Sequence, residues 1–198
     1  MVRAILDGTK TQTRRVAKLT VWPRESDVLL CPHGQPGDRL WVRETCRADE
    51  LPDGLDGVRY LADDHFEPIK STEDAADQWV AMHNYRGGNG GGLIGPTVPP
   101  IHMPRWASRI TLEITRVRGE RLRDISEADA MAEGARECDP VSGREVLLAG
   151  PSQRGSFVLH YRDIWGQING PGSWEANPLV WVVEFQPIDA ATSAAVSR

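Results

Sequence analysis

At 198 residues, with 40% hydrophobic and 26% charged residues, the chain is long enough to bury a sizeable core and too apolar for wholesale disorder. A net charge of −5 argues against a protein that coats long nucleic acid through bulk electrostatics. No run approaches the roughly 20 apolar residues that span a bilayer, the start Met1 to Asp7 lacks the form of a secretory signal, and Cys31, Cys46 and Cys138 show no CxxC spacing for a zinc site or disulfide framework. The expected setting is the cytoplasm, with no membrane partner.

Val2, Ile5 and Leu6 fall at helical spacing and Gly8 stops the turn, so a short helix opens the chain. At its end stands Gly8-Thr9-Lys10-Thr11-Gln12-Thr13-Arg14-Arg15. A lysine and a hydroxyl three positions apart, with guanidinium groups beside them, can converge on one pocket. That equipment serves acyl transfer or the gripping of a phosphate. Val28 to Leu30 reads as a short strand and Gln35-Pro36-Gly37-Asp38 as a turn. Arg39 to Glu44 alternates as a half-buried strand, and Glu44 at its inward end needs a partner such as Lys10 or an arginine.

Residues 46–100 read as a loop-rich, acidic insertion holding a short strand at 58–62, a short helix at 71–82 and a mobile Gly/Asn run at 86–92. Order returns at Ile101 to Trp106. Ile110, Leu112, Ile114 and Val117 then mark a strand over Arg109 to Arg118. Ser126 with Asp129 resembles a capping box and Gly134 a C-terminal stop. Glu133 thereby ends a short helix, where the negative end of the dipole disfavours an acid. From Pro151 on, Phe157, Tyr161, Ile164 or Trp165, and Ile168 form a stripe that should pack flat on the core. Leu179 to Phe185 reads as a central strand, and 188–198 as a disordered tail.

Charge is unevenly spread. Six basic residues against Asp7 occupy Met1 to Arg24, six arginines against Glu113 and Glu120 occupy Arg105 to Arg123, and ten carboxylates lie between Asp49 and Asp77. If the basic segments are neighbours, one face is positive while the molecule is acidic; the plainer reading is solvated surface charge.

Gly8-x-Lys10-x-x-Thr13-x-Arg15, Pro36 to Glu44, Met103 to Ile110, the Ile125 to Gly134 helix and Trp181 to Phe185, in that order, together resemble the ASCH domain family. The longer bacteriophage and prophage forms are the nearest in pattern, and the likeness covers roughly residues 1–45 and 101–186. It implies an α+β fold of the PUA-like type, a small mixed β-barrel with flanking helices, as a single domain over 1–187 carrying the 46–100 insertion. The family is associated with RNA or modified nucleobases; one branch hydrolyses N4-acetylcytidine to cytidine, and another member is described as a ribonuclease. By motif, that branch's catalytic lysine, threonine and helix glutamate fall on Lys10, Thr13 and Glu133. Related phage proteins carry a strand before the first helix that this chain does not show, so barrel closure is expected from the insertion or a partner chain.

Hydrolysis of an exocyclic amide needs a nucleophile, a base, oxyanion donors and an acid for the leaving amine. Thr13 can supply the oxygen and Lys10 the base, provided that Lys10 is neutral part of the time, which burial favours and Glu133 opposes. Glu133 is left to orient Lys10 or to activate water. Arg14, Arg15 and Glu44 are candidates for reading a cytosine and its sugar, and Trp106 for stacking on the ring, with structural roles as the alternative for Arg14 and Trp106. His33, His65, His83, His102 and His160 show no metal-binding spacing, so neither metal nor cofactor is expected. The expected function is a metal-independent amidohydrolase acting on N4-acetylcytidine or a related modified cytosine nucleoside or nucleotide. The alternatives are a non-catalytic RNA- or DNA-binding module and a ribonuclease.

Overall fold

A computed structural model of the chain describes residues 1–18, 31–87, 92–136 and 156–188. The strand expected at Val28 to Leu30, the glycine tip near Gly90, Cys138, the helix start at Pro151 and the tail beyond 188 lie outside the described residues. The chain is mixed α+β, and its larger sheet is a curled antiparallel half-barrel. It divides into two compact units, one built from Arg3–Leu40 with Leu112–Pro187 and the other from Trp41–Thr111.

In the larger unit the sheet runs β1 (Gln12–Val16), β7 (Leu179–Pro187), β6 (Thr111–Arg121), β2 (Arg39–Trp41), with β7 antiparallel to both β1 and β6. The apolar run Leu179 to Phe185 is a strand buried on both faces, as a central strand should be. Val180 and Val182 pack with Leu122, Ile125, Tyr161 and Trp165, while Leu179, Trp181 and Val183 pack with Ile114, Val117 and Cys31. Strand β6 outlasts the predicted span because Gly119 and Arg121 pair with Trp181 and Leu179. A register shift between Ile114 and Arg116 explains how Ile114 and Val117, three residues apart, are both buried.

Among the described residues three α-helices accompany this sheet: α1 (Val2–Leu6), α3 (Glu127–Ala132) and α4 (Phe157–Asn169). Ser126 caps α3 by accepting from Asp129 N at 3.0 Å, and Gly134 leaves it at φ +83°, a conformation open to glycine. Tyr161 and Trp165 of α4 are buried, but Ile168 is 68% exposed, so the stripe does not lie flat on the core over its whole length.

The second unit is more ordered than the sequence suggests. Strands β3 (Cys46–Glu50), β4 (Asp56–Tyr60) and β5 (Phe66–Pro68) make an antiparallel sheet, accompanied by the helix α2 (Glu73–His83), which is capped by Thr72. Cys46, Ala48, Val58, Tyr60, Trp79 and Met82 form its core. The segment holds the strand and the helix expected of it together with two further strands; β3 hides among charges because Asp49, buried on it, is paired with Arg59 of β4. Trp41–Thr111 also takes in segments on either side of 46–100, and these are zipped together. Val42 N donates to Ile110 O at 3.0 Å, and Ser108 Oγ donates to Val42 O at 3.0 Å.

Among the described residues Trp181 is the largest fully buried side chain, at 1% exposure. Trp181→Ala should destabilise the protein by about 3–5 kcal/mol in urea unfolding, whereas Val80→Ala, at a half-exposed position of α2, should stay within about 0.5 kcal/mol.

Candidate active site

The lysine-threonine segment crosses from the first helix into the sheet. Gly8, at φ +70°, turns the chain so that Lys10 N donates to Ala4 O at 2.8 Å. It then passes the end of α3: Lys10 and Glu133 form an antiparallel bridge, Thr11 N donates to Ala132 O, and Gln12 Nε2 donates to Asp129 O, the last two at 2.8 Å. Carbonyls at a helix C-terminus have no partner inside the helix, and here the incoming segment supplies one. Residues 12–16 continue as β1, a strand that the two adjacent arginines conceal in the sequence.

This route places Lys10 Nζ on Glu133. The amine donates to Glu133 Oε2 at 2.7 Å, to Glu133 O at 2.9 Å and to Gln12 O at 2.8 Å. Three acceptors match the three protons of an ammonium. Both side chains are buried, at 6% and 3% exposure. Burial pushes the Lys10 amine below the usual lysine value; Glu133 works against that shift, and Arg15 and Arg14 add to it.

Thr13 Oγ1 accepts from Arg15 at 2.8 Å, and Lys10 is not among its partners. Alternation along β1 puts half-buried Thr13 and exposed Arg15 on one face and buried Gln12 and Arg14 on the other. Lys10, Thr13, Arg15 and Glu133 nevertheless line one cavity of about 460 Å³, a size suited to a small molecule. Its apolar wall comes from Met1 and Ala4 of the N-terminal segment and from Tyr161, Ile164, Trp165 and Ile168 of α4. In sequence, nothing separates these α4 side chains from ordinary core. The one signal, visible in retrospect, is that Ile168 extends the stripe beyond what the core can cover.

Arg14 also borders the cavity, but its guanidinium is spent on carboxylates. Nε and one NH2 nitrogen approach Glu120 Oε1 at 2.9 and 2.5 Å, the same nitrogen lies 3.5 Å from Asp129 Oδ2, and the other donates to Glu133 Oε1 at 3.2 Å. Its side chain is fully buried. Arg118 extends the network to Glu120, Asp129 and Glu184. Burial works against the Asp129 carboxylate, but the Ser126 hydroxyl, Arg118, Arg14 and Gln12 more than offset it and hold its pKa below the usual aspartate value.

Glu44 and Trp106 belong to the second unit, where local partners account for them. Glu44, 1% exposed, is held in a two-point pair by Arg109, at 2.9 and 2.8 Å, so the partner it needs is an arginine and not Lys10. Arg109 also binds Asp63 and lies over the Tyr60 ring at 4.1 Å. Trp106 packs half-buried against the core of that unit. Among the described residues, no three or more His, Cys, Asp and Glu side chains gather as a metal site, and no helix is long and apolar enough to cross a membrane. Cys31 and Cys46 are buried free thiols.

No protein-family model, curated protein or solved structure matches the chain.

Because the Asp129 pKa is lowered on folding, its contribution to stability is complete above about pH 4 and is lost as the pH falls through the folded-state value. Asp129→Asn should therefore lower Tm at pH 7 and flatten its decline between pH 4 and pH 2, as followed by circular dichroism.

Proposed function

We propose that the cavity binds a modified cytosine nucleoside and hydrolyses its N4-acyl amide. The observation that carries this reading is the meeting of Lys10 and Glu133 at 2.7 Å, 123 positions apart in sequence, in a cavity that Thr13 also lines. The order of motifs resembling the ASCH family supports it, and a curled half-barrel is compatible with the PUA-like barrel that this family implies.

In this reading Thr13 Oγ1 adds to the acyl carbon. Its proton goes to Lys10, whose neutral form arises when the short Nζ to Oε2 contact has delivered a proton to Glu133. Arg15, already bonded to the Thr13 hydroxyl, faces the developing oxyanion. Lys10 then returns the proton to N4 as the C–N bond breaks. Water, deprotonated by the same pair, releases the acyl group from Thr13. The charged residues that line the cavity are Lys10, Arg14, Arg15 and Glu133, and of the three cations Lys10 and Arg14 are already paired with carboxylates.

A nucleic-acid-binding reading has its own support in the second unit. Arg43 and Arg105 both lie over the Trp41 ring, at 4.5 and 5.3 Å, and neither meets a carboxylate among the described residues. Such cations remain available to phosphates.

Cytidine release from N4-acetylcytidine, followed by chromatography, tests the first reading. Lys10→Ala, Thr13→Ala and Glu133→Gln should each lower kcat/KM by about 10²- to 10⁴-fold. An inert wild-type protein, or Lys10→Ala at the wild-type rate, would sink it. Salt-dependent binding of a short oligonucleotide, lost in the Arg43→Ala/Arg105→Ala double variant and without nucleoside turnover, is the outcome expected of the second.

A further inference from the structure

We propose that Arg14 is a positioning residue: it orients the Glu133 carboxylate from the side opposite Lys10 and so decides where the proton of the Lys10–Glu133 pair resides. The inference rests on the amidohydrolase reading for its catalytic consequence, while its geometry stands independently.

The two oxygens of Glu133 are divided between two cations. Oε2 takes Lys10 at 2.7 Å and Oε1 takes Arg14 at 3.2 Å. A carboxylate gripped at both oxygens is held in one orientation. Arg14 is itself immobilised, since Glu120 binds two of its nitrogens and Asp129 flanks one of them. Its guanidinium, fully buried, also lies over the Tyr161 ring at 5.9 Å. Each of its three nitrogens meets a carboxylate.

The charged and titratable groups around the pair come from every surrounding element. β1 brings Arg14 and Arg15, β6 brings Arg118 and Glu120, β7 brings Glu184, α3 brings Asp129, and α4 brings Tyr161, whose phenol burial pushes up and away from ionisation. Among the described residues, Arg14 is the one charged group besides Lys10 that meets the Glu133 carboxylate. Removing its charge leaves Glu120, Asp129 and Glu133 short of a cation, so the site should hold the Lys10 proton more tightly. Removing the charge of Glu120 should have the opposite effect. A residue that merely filled space would move neither.

The test uses trace labelling of the full chain with acetic anhydride across a pH series, reading acetylation at Lys10 by peptide mass spectrometry, with Lys18 and Lys70 as internal references. No turnover is needed, so a failed amidohydrolase reading leaves the result intact. In Arg14→Gln the midpoint of Lys10 labelling should rise by about one pH unit, a tenfold drop in reactivity below the midpoint. Arg14→Lys should return it toward wild type, and Glu120→Gln should lower it. If Arg14→Gln fails to fold, Arg14→Lys and Glu120→Gln carry the test. Should hydrolysis be observed, the lower limb of the kcat–pH profile should move with the labelling midpoint. Unchanged midpoints in the folded variants, or equal shifts in Arg14→Gln and Arg14→Lys, would overturn the proposal.

Discussion

An acid at the C-terminal end of a helix is opposed by that helix's own dipole, and the ion pair between Lys10 and Glu133 is what makes the placement tolerable. The lysine does more than neutralise. It bonds the carboxylate and the Glu133 carbonyl together, so one ammonium satisfies the end of α3 and fixes the segment leading into β1. Gly134 follows with φ +83°, and a side chain there would meet Ala4 and Lys10. The helix end, the glycine and the lysine thus form one steric and electrostatic unit in which no part can be altered alone.

Burying that pair has a cost that distance alone does not reveal. Charges taken out of water must be matched by close partners and by hydrogen bonds to their remaining donors and acceptors. The larger unit meets this by enlarging the pair into a network, in which Arg14 and Arg118 interleave with Glu120, Asp129, Glu133 and Glu184. Arginines from both basic segments of the sequence are thereby turned inward. A charge map drawn from the sequence would show a positive face; much of that charge is consumed by acids that arrive from strands and a helix distant in the chain.

The sequence was most legible where one element could be read on its own. The opening helix, the Ser126 cap, the Gly134 stop and the β7 run depend on local spacing and local chemistry, and each is found where the pattern puts it. β1 was hidden because its buried positions are Gln12 and Arg14, polar residues whose burial is intelligible once their distant partners are known. β3 was hidden for the same reason at Asp49. For the site, the lysine and threonine were visible as a pair. The α4 wall was not, since a stripe of Tyr, Ile and Trp looks alike whether it faces core or cavity. Glu44 and Arg109 show the converse: the need for a partner was evident from the strand pattern, and its identity was not.

The hydrogen bond between Val42 and Ile110 carries a consequence for how such a chain can have been assembled. It holds the two ends of an intervening stretch of almost 70 residues side by side, where a tight turn would otherwise join two antiparallel strands. Closing a loop of any length costs entropy that grows only with the logarithm of that length, and here the closure is made by the backbone pairing itself. The stretch between these ends can therefore lengthen, shorten or be exchanged over evolutionary time while the strands on either side keep their register. In that sense the backbone pairing, and not the length of the stretch, sets where its two ends lie.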